Sequence, residues 1–259
     1  MTDTDRRQAL ALGLRPCLSH PDPGLHDGLA FDGLSAMLRS KLLTSETQYQ
    51  VYRIQLAQLQ PNTTDAGGFA RPFAALALSE VARADRLQPL LEPVDRVELV
   101  NAATAYVRGV SDYRGFISGE GWRHGVAHGA DLLMQLALNR AITGDQLGAI
   151  VQAAQAQIVP GQSHFYIYGE SDRLARPVVY AARRGQRDTG YWQRFVDVVA
   201  SPAPLATWGA AFISQSGLAQ LHNTKSFLRA TLSLVNQLND PAVTALMAQP
   251  LNLALAQLP

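Results

Sequence analysis

The chain has 259 residues, enough to bury a substantial core, and its 47% hydrophobic and 17% charged content excludes a disordered polypeptide. With 22 basic and 21 acidic residues the net charge is +1, which gives no support to a nucleic-acid or anionic-membrane partner. The single cysteine, Cys17, excludes an intramolecular disulfide and a cysteine-based zinc site, so the cytoplasm is the expected compartment.

In chain order, nearly every segment has helical period, and the gaps are short and rich in Pro, Gly and Asp. Asp5 to Leu14 reads as a first helix. Its apolar run Ala9–Leu14 stops at Arg15-Pro16, too short for a signal core or a membrane helix. A second helix is expected from Asp22-Pro23 to about Ser40, with Asp22 as N-cap and Leu25, Leu29, Leu34 and Leu38 as its apolar stripe. Thr44 or Ser45 starts a third, ending near Leu59, and Pro61 to Gly68 reads as a loop. Helices follow over 71–83, 93–110, 119–140, 143–159, 171–184, 189–200, 205–213, 217–238 and 240–258. His164 to Tyr168 has strand-like composition, but with no second strand in view an ordered loop is expected.

The stretch Gly119-Glu120-Gly121-Trp122-Arg123-His124-Gly125-Val126-Ala127-His128-Gly129-Ala130-Asp131-Leu132-Leu133 is the most distinctive. Read as one helix, Gly121, Gly125 and Gly129 together cost about 3 kcal/mol relative to alanine, so a neighbouring helix or a ligand must approach that bare flank closely. On a helical wheel His124, His128, Asp131 and Gln135 fall within about 60° of one another, with Trp122, Val126, Leu133 and Ala137 opposite. Two neutral imidazoles at i and i+4 suit one divalent metal, with Asp131 as third ligand or as orienter of His128, and Asp112, Glu120 or Asp172 able to complete a site. A zincin helix needs Glu after the first His, where this chain has Gly125, so a metalloprotease is excluded. Three readings of the histidines stand open: crowded core residues, a pocket without metal, and a metal site.

Asp112-Tyr113-Arg114-Gly115 lies just upstream, either capping two helix ends or reaching into the same pocket. His164, Tyr166 and Tyr168 precede Glu170-Ser171-Asp172, a helix start, and can line a pocket mouth. His222, Lys225 and Arg229 share one helix face, by default a solvated one. No Gly-x-Ser-x-Gly elbow supports serine catalysis.

The phrase Leu18-Ser19-His20-Pro21-Asp22-Pro23-Gly24-Leu25-His26-Asp27-Gly28-Leu29 resembles a HEAT-type helical repeat, echoed weakly at Asn239–Val243, without a clean period elsewhere. The histidine stretch from Gly121 to Leu133 resembles the signature of the bacterial family DUF2785. Supporting it in order are Asp22-Pro23…Asp27-Gly28, Arg71-x-Phe73, Asp112-x-Arg114-Gly115, Glu170 to Leu174 and Asn223-x-Lys225-x-Phe227-Leu228. The family pattern implies Arg at the position of His26, Ser at that of Pro72, and an acid just before Asp112, so a charge network there is altered in this chain. The resemblance implies a helical, mostly cytoplasmic bacterial protein and brings no activity, substrate or cofactor.

The expectation is therefore an all-α, single-domain chain (1–259): an irregular right-handed stack of antiparallel helix pairs, a HEAT-like α-α superhelix of about a dozen helices. The histidine helix is expected at its centre, with Trp122 in the core and His124, His128 and Asp131 along a cleft or polar core. The first functional expectation is a scaffold binding a protein, peptide or small molecule, with Asp112, Arg114, Trp122, His124, His128, Asp131, His164 and Glu170 as candidate contacts. The second is a hydrolase using a metal or a His–Asp pair, with His124 as ligand or base, Asp131 orienting His128, and Arg114 holding an anionic group.

Overall fold

Local caps fix most helix starts in the computed structural model, which describes residues 2–160 and 163–259. Thr2 closes a capping box over α1 (Asp3–Gly13), which is followed by the short α2 (Arg15–Leu18). The Asp22 carboxylate accepts from Gly24 N at 2.8 Å, and the chain then winds as a π-helix over Gly24–Phe31 before tightening into α3 (Asp32–Arg39). The wider winding changes which residues face inward. His26 and Ala30 are buried, whereas Leu29, expected on the apolar stripe, is 52% exposed.

Thr44 caps α4 (Ser45–Leu59), its hydroxyl accepting from Thr47 N at 3.1 Å. Asp65 then receives three successive amides, those of Phe69, Ala70 and Arg71, at the start of α5 (Ala70–Leu87). Next come α6 (Pro93–Gly109), a two-residue hairpin of β1 (Phe116–Ile117) and β2 (Gly121–Trp122), and α7 (Gly125–Leu138). The chain continues through α8 (Gly144–Ala156), α9 (Glu170–Arg183), α10 (Thr189–Ala200), a 3-10 turn at Trp208–Ile213, α11 (Gln215–Leu238) and α12 (Pro241–Gln257). Thr143, Asp188 and Asp240 cap α8, α10 and α12 as their sequence positions imply. The protein is all-α apart from the hairpin. Residues 164–167 form the expected loop.

Helices α5, α7 and α9 pack side by side, with α4, α6 and α8 behind them. Phe73 meets His128 and Arg86 meets Gln135, so α5 and α7 run in the same direction; so do α7 and α9, where His124 approaches Glu170 and the Ala137 carbonyl meets Arg184. Arg184 donates to the carbonyls of Ala137, Asn139, Arg140 and Ile142, tying the end of α9 to the turn between α7 and α8. Asp85, 4% exposed, fixes the end of α5: it accepts from Leu90 N, Leu91 N, Asn139 Nδ2 and both arms of Arg96. One cluster of buried apolar side chains runs from Ala11 to Leu258.

Candidate functional site

The histidine segment is not one helix. Gly119 and Gly121 have φ of +84° and +77° in the hairpin, and His124 stands immediately before α7 with φ +52°. Three left-handed residues within six positions break the periodicity on which a wheel from Gly119 depends. Trp122 therefore does not lie opposite the histidines in the core. It is half-buried and lies on His124, with ring centroids 4.7 Å apart and planes at 24°. Phe116 and Tyr168 meet Trp122 edge-on.

The glycine flank is covered as close packing requires. A Cβ at Gly129 would come within 2.6 Å of Val107 Cγ2 and 3.1 Å of the Tyr106 ring, and one at Gly125 within 3.1 Å of the Tyr106 hydroxyl. Helix α6 thus rests on the bare side of α7. Gly121 serves another purpose: it adopts the positive φ of the hairpin, and its missing Cβ leaves room for Pro23 and the fully buried His26.

His128 is buried between Phe73 and His124, the ring centroids lying 5.2 and 5.8 Å away. Burial, the neighbouring His124 and Arg173 lower its pKa to about 3, against a hydrogen bond to the Pro72 carbonyl. Burial and Arg173 likewise lower His124 to about 4, opposed by a backbone hydrogen bond at Tyr168. Both rings are neutral at pH 7. His124 Nε2 lies 3.8 Å from Glu170 Oε1, and Glu170, 2% exposed, accepts from Tyr168 N at 2.9 Å. Burial raises the Glu170 pKa.

Asp131 does not orient His128. Its carboxylate pairs with Arg173 and lies 3.7 Å from Arg176 Nη1, both on α9. Burial raises its pKa, and the two arginines pull it back in part. Among the described residues no group of three His, Cys, Asp or Glu comes together as a metal-ligand set, and Asp172 is exposed in α9's first turn.

Asp112 and Arg114 cap no helix. They pair with each other, Arg114 Nε donating to Asp112 Oδ1 at 2.8 Å, while Arg114 Nη2 reaches the Gly67 carbonyl at 3.4 Å. Glu120 sits in the hairpin, paired with Arg123, and not at a helix start. Tyr113, Arg114, His124, Tyr166 and Glu170 border a crevice with no room for a water molecule. His164 lies one ring further out, stacked on Tyr113 at 5.3 Å, and Asn223 holds its loop by accepting from Tyr166 N and donating to the His164 carbonyl.

Sequence reasoning passed over the arginine face beside this cluster. Arg39 grips the buried Glu80 with two bonds of 2.8 and 2.5 Å, and Glu80 lies close enough to Asp131 to raise its pKa. Arg86 donates to Gln135, one turn beyond Asp131; burial and the adjacent Arg83 lower the Arg86 pKa. The available signal was the run of Arg39, Arg83, Arg86, Arg173 and Arg176 on helices that turn out to be neighbours.

The architecture is that of an all-α protein with a buried, uncharged histidine cluster bordered by paired arginines. Residues 36–234 match the family described as Protein of unknown function (DUF2785), and the chain belongs to that family. No curated protein and no solved structure matches it.

Proposed function

We propose that the protein is a single-domain, cytoplasmic, HEAT-like scaffold that binds an acidic segment of a partner protein on the exposed side of α5, α7 and α9. One observation carries this reading. Three guanidinium groups hold two buried carboxylates there, Arg39 on Glu80 and Arg173 with Arg176 on Asp131, while Arg86 lies alongside on Gln135 with Arg83 as its charged neighbour and Asp32 is a further negative neighbour of Arg39. Arginine forks left with unused donors favour carboxylate groups. The side chains of Arg39, Arg173 and Arg176 are 55%, 37% and 39% exposed, so a partner can reach them.

Fluorescence anisotropy with a labelled polyglutamate decapeptide tests the reading. Binding is expected at about 50 mM salt, weakening by about 200 mM as screening takes hold. It is expected to disappear in R173E/R176E, and no binding by wild type at the lower salt overturns it.

A hydrolase with a metal or His–Asp pair is the competing reading of the same helix. Against it, Asp131 is engaged by Arg173 and Arg176, and among the described residues no three His, Cys, Asp or Glu side chains come together as a metal-ligand set. Elemental analysis of wild type, His124→Ala and His128→Ala separates the two: a stoichiometric metal lost in both variants would favour the hydrolase.

A further inference from the structure

A second place on the molecule, away from the arginine face, has the form of a small-molecule site. Two hollows of about 240 and 350 Å³ adjoin where the loop after α4 passes the start of α5 and the side of α6. Arg71 and Tyr106 line both and form the wall between them. The larger hollow alone is within the size range of small-ligand clefts, and both open to solvent.

Arg71 is set in place rather than free to wander. Its Nε donates to the Leu59 carbonyl at 3.2 Å, and its guanidinium lies over the Tyr106 ring, 5.3 Å from the centroid. Tyr106 is itself fixed, 4% exposed and donating its hydroxyl to the Gly125 carbonyl at 3.3 Å. Both terminal nitrogens of Arg71 make no hydrogen bond or ion pair among the described residues.

The acids around the cleft are already engaged. Asp65 accepts three main-chain amides of α5, Asp112 holds Arg114, and Glu98 pairs with Arg53 at 2.7 Å. Those carboxylate oxygens are occupied by other donors, so the terminal nitrogens of the Arg71 fork are the donors left to an anion with two parallel oxygens, with the Asp65 carboxylate a negative neighbour in the same hollow. The larger hollow adds Leu59, Pro61, Ala102 and Ala105, apolar surface for the body of such a molecule. Residues far apart in sequence meet here: Arg71 of the Arg71-x-Phe73 phrase, Asp112, and Gly125 of the histidine stretch.

We infer that this cleft binds a small organic carboxylate, its carboxylate on the Arg71 fork and its apolar body along Tyr106, Ala102 and Ala105. The site does not depend on the proposed partner surface, which uses other arginines.

Isothermal titration of wild type with benzoate and hexanoate, against benzamide and hexanol as neutral counterparts, tests it. A carboxylate is expected to bind saturably below about 10 mM, and its neutral counterpart at least about tenfold more weakly. Arg71→Gln is expected to weaken carboxylate binding by about tenfold or more. Ala105→Phe fills the cleft from an exposed position of α6 and is expected to block binding with the fold intact, which decides the matter if Arg71→Gln fails to fold. Absence of saturable binding, equal binding of the neutral compounds, or binding unchanged in Ala105→Phe would overturn the inference.

Discussion

Trp122 and His124 lie face to face although the hairpin ends between them: one is the last residue of β2 and the other stands just before α7. The stack accompanies φ +52° at His124, a left-handed region that His, Asn and Asp enter more readily than most and that costs an alanine about 1 kcal/mol relative to glycine. Removing the ring and removing the strain are separable. His124→Gly is expected to be more stable than His124→Ala by roughly 1 kcal/mol, since both lose the stack and only alanine keeps the strain. Urea unfolding of the pair checks this; equal stability would mean the backbone is not strained there.

Two histidines held neutral make folding sensitive to acid. Their folded pKa values lie below the ordinary 6.5, at about 4 for His124 and about 3 for His128. The stability they contribute is thus fully present above pH 6.5 and is lost as pH falls through that value towards the folded pKa values, because the unfolded chain takes up the protons first. Glu170 and Asp131 act oppositely, since burial raises both and the folded state gains protons as pH falls. The histidine share is isolated by comparing wild type with His128→Asn: between about pH 7 and about pH 5 wild type should lose more stability than the variant, on the order of 1–2 kcal/mol. Parallel pH profiles would contradict a neutral, buried His128.

Gly129→Ala should destabilise despite alanine's higher helix propensity. Its methyl group would press on Val107, which is fully buried and has nowhere to move. The expected cost is about 1–3 kcal/mol. Gly28→Ala is the contrast, with open space at its Cβ, and should change stability by less than about 1 kcal/mol. Chemical denaturation of both variants is sufficient.

Asp85 should be the most sensitive polar position tested. Burial alone would raise its pKa, yet the Arg96 bonds and the Leu90 and Leu91 amides bring it below the ordinary carboxylate value. Asp85→Ala leaves Arg96, 13% exposed in its side chain, without its hydrogen-bonded partner, with Glu92 and Asp95 as the remaining negative neighbours, and strips the Leu90, Leu91 and Asn139 donors of their acceptor, at an expected cost of about 2–4 kcal/mol. A midpoint shift under about 1 kcal/mol would show that water replaces the carboxylate cheaply.

Asn223→Ala should loosen the 163–168 loop more than it lowers global stability. It removes both bonds that hold Tyr166 N and the His164 carbonyl. Faster proteolytic cleavage within that loop, at a denaturation midpoint within about 2 kcal/mol of wild type, is the expected pair of results.

Helix existence was legible because caps are local chemistry. Thr44, Thr143, Asp188 and Asp240 announce four starts to within a residue. The close packing implied by Gly125 and Gly129 was also legible, and α6 supplies it. What escaped was the boundary inside the histidine segment. Glycine marks both turns and tight helix contacts, and only backbone angles separate Gly121 from Gly125. The wheel therefore placed Trp122 in the core, and it missed the π winding that turns Leu29 outward and His26 inward. The partners of Asp131 were beyond reach because Arg173 and Arg176 lie more than forty residues along the chain.

Arg184 fastens one rod to its neighbour at four carbonyl oxygens of a single bend. Sliding or rolling either rod would unfasten all four at once, so the end of the slab nearest that bend behaves as a stiff plate. The opposite end, around the hairpin and the 163–168 segment, has no such clamp and is held by aromatic stacking and the Asn223 and Glu170 bonds. Pulling α9 away from α7 at the Arg184 end therefore means breaking four hydrogen bonds together, whereas at the Trp122 and Tyr168 end it means parting stacked rings.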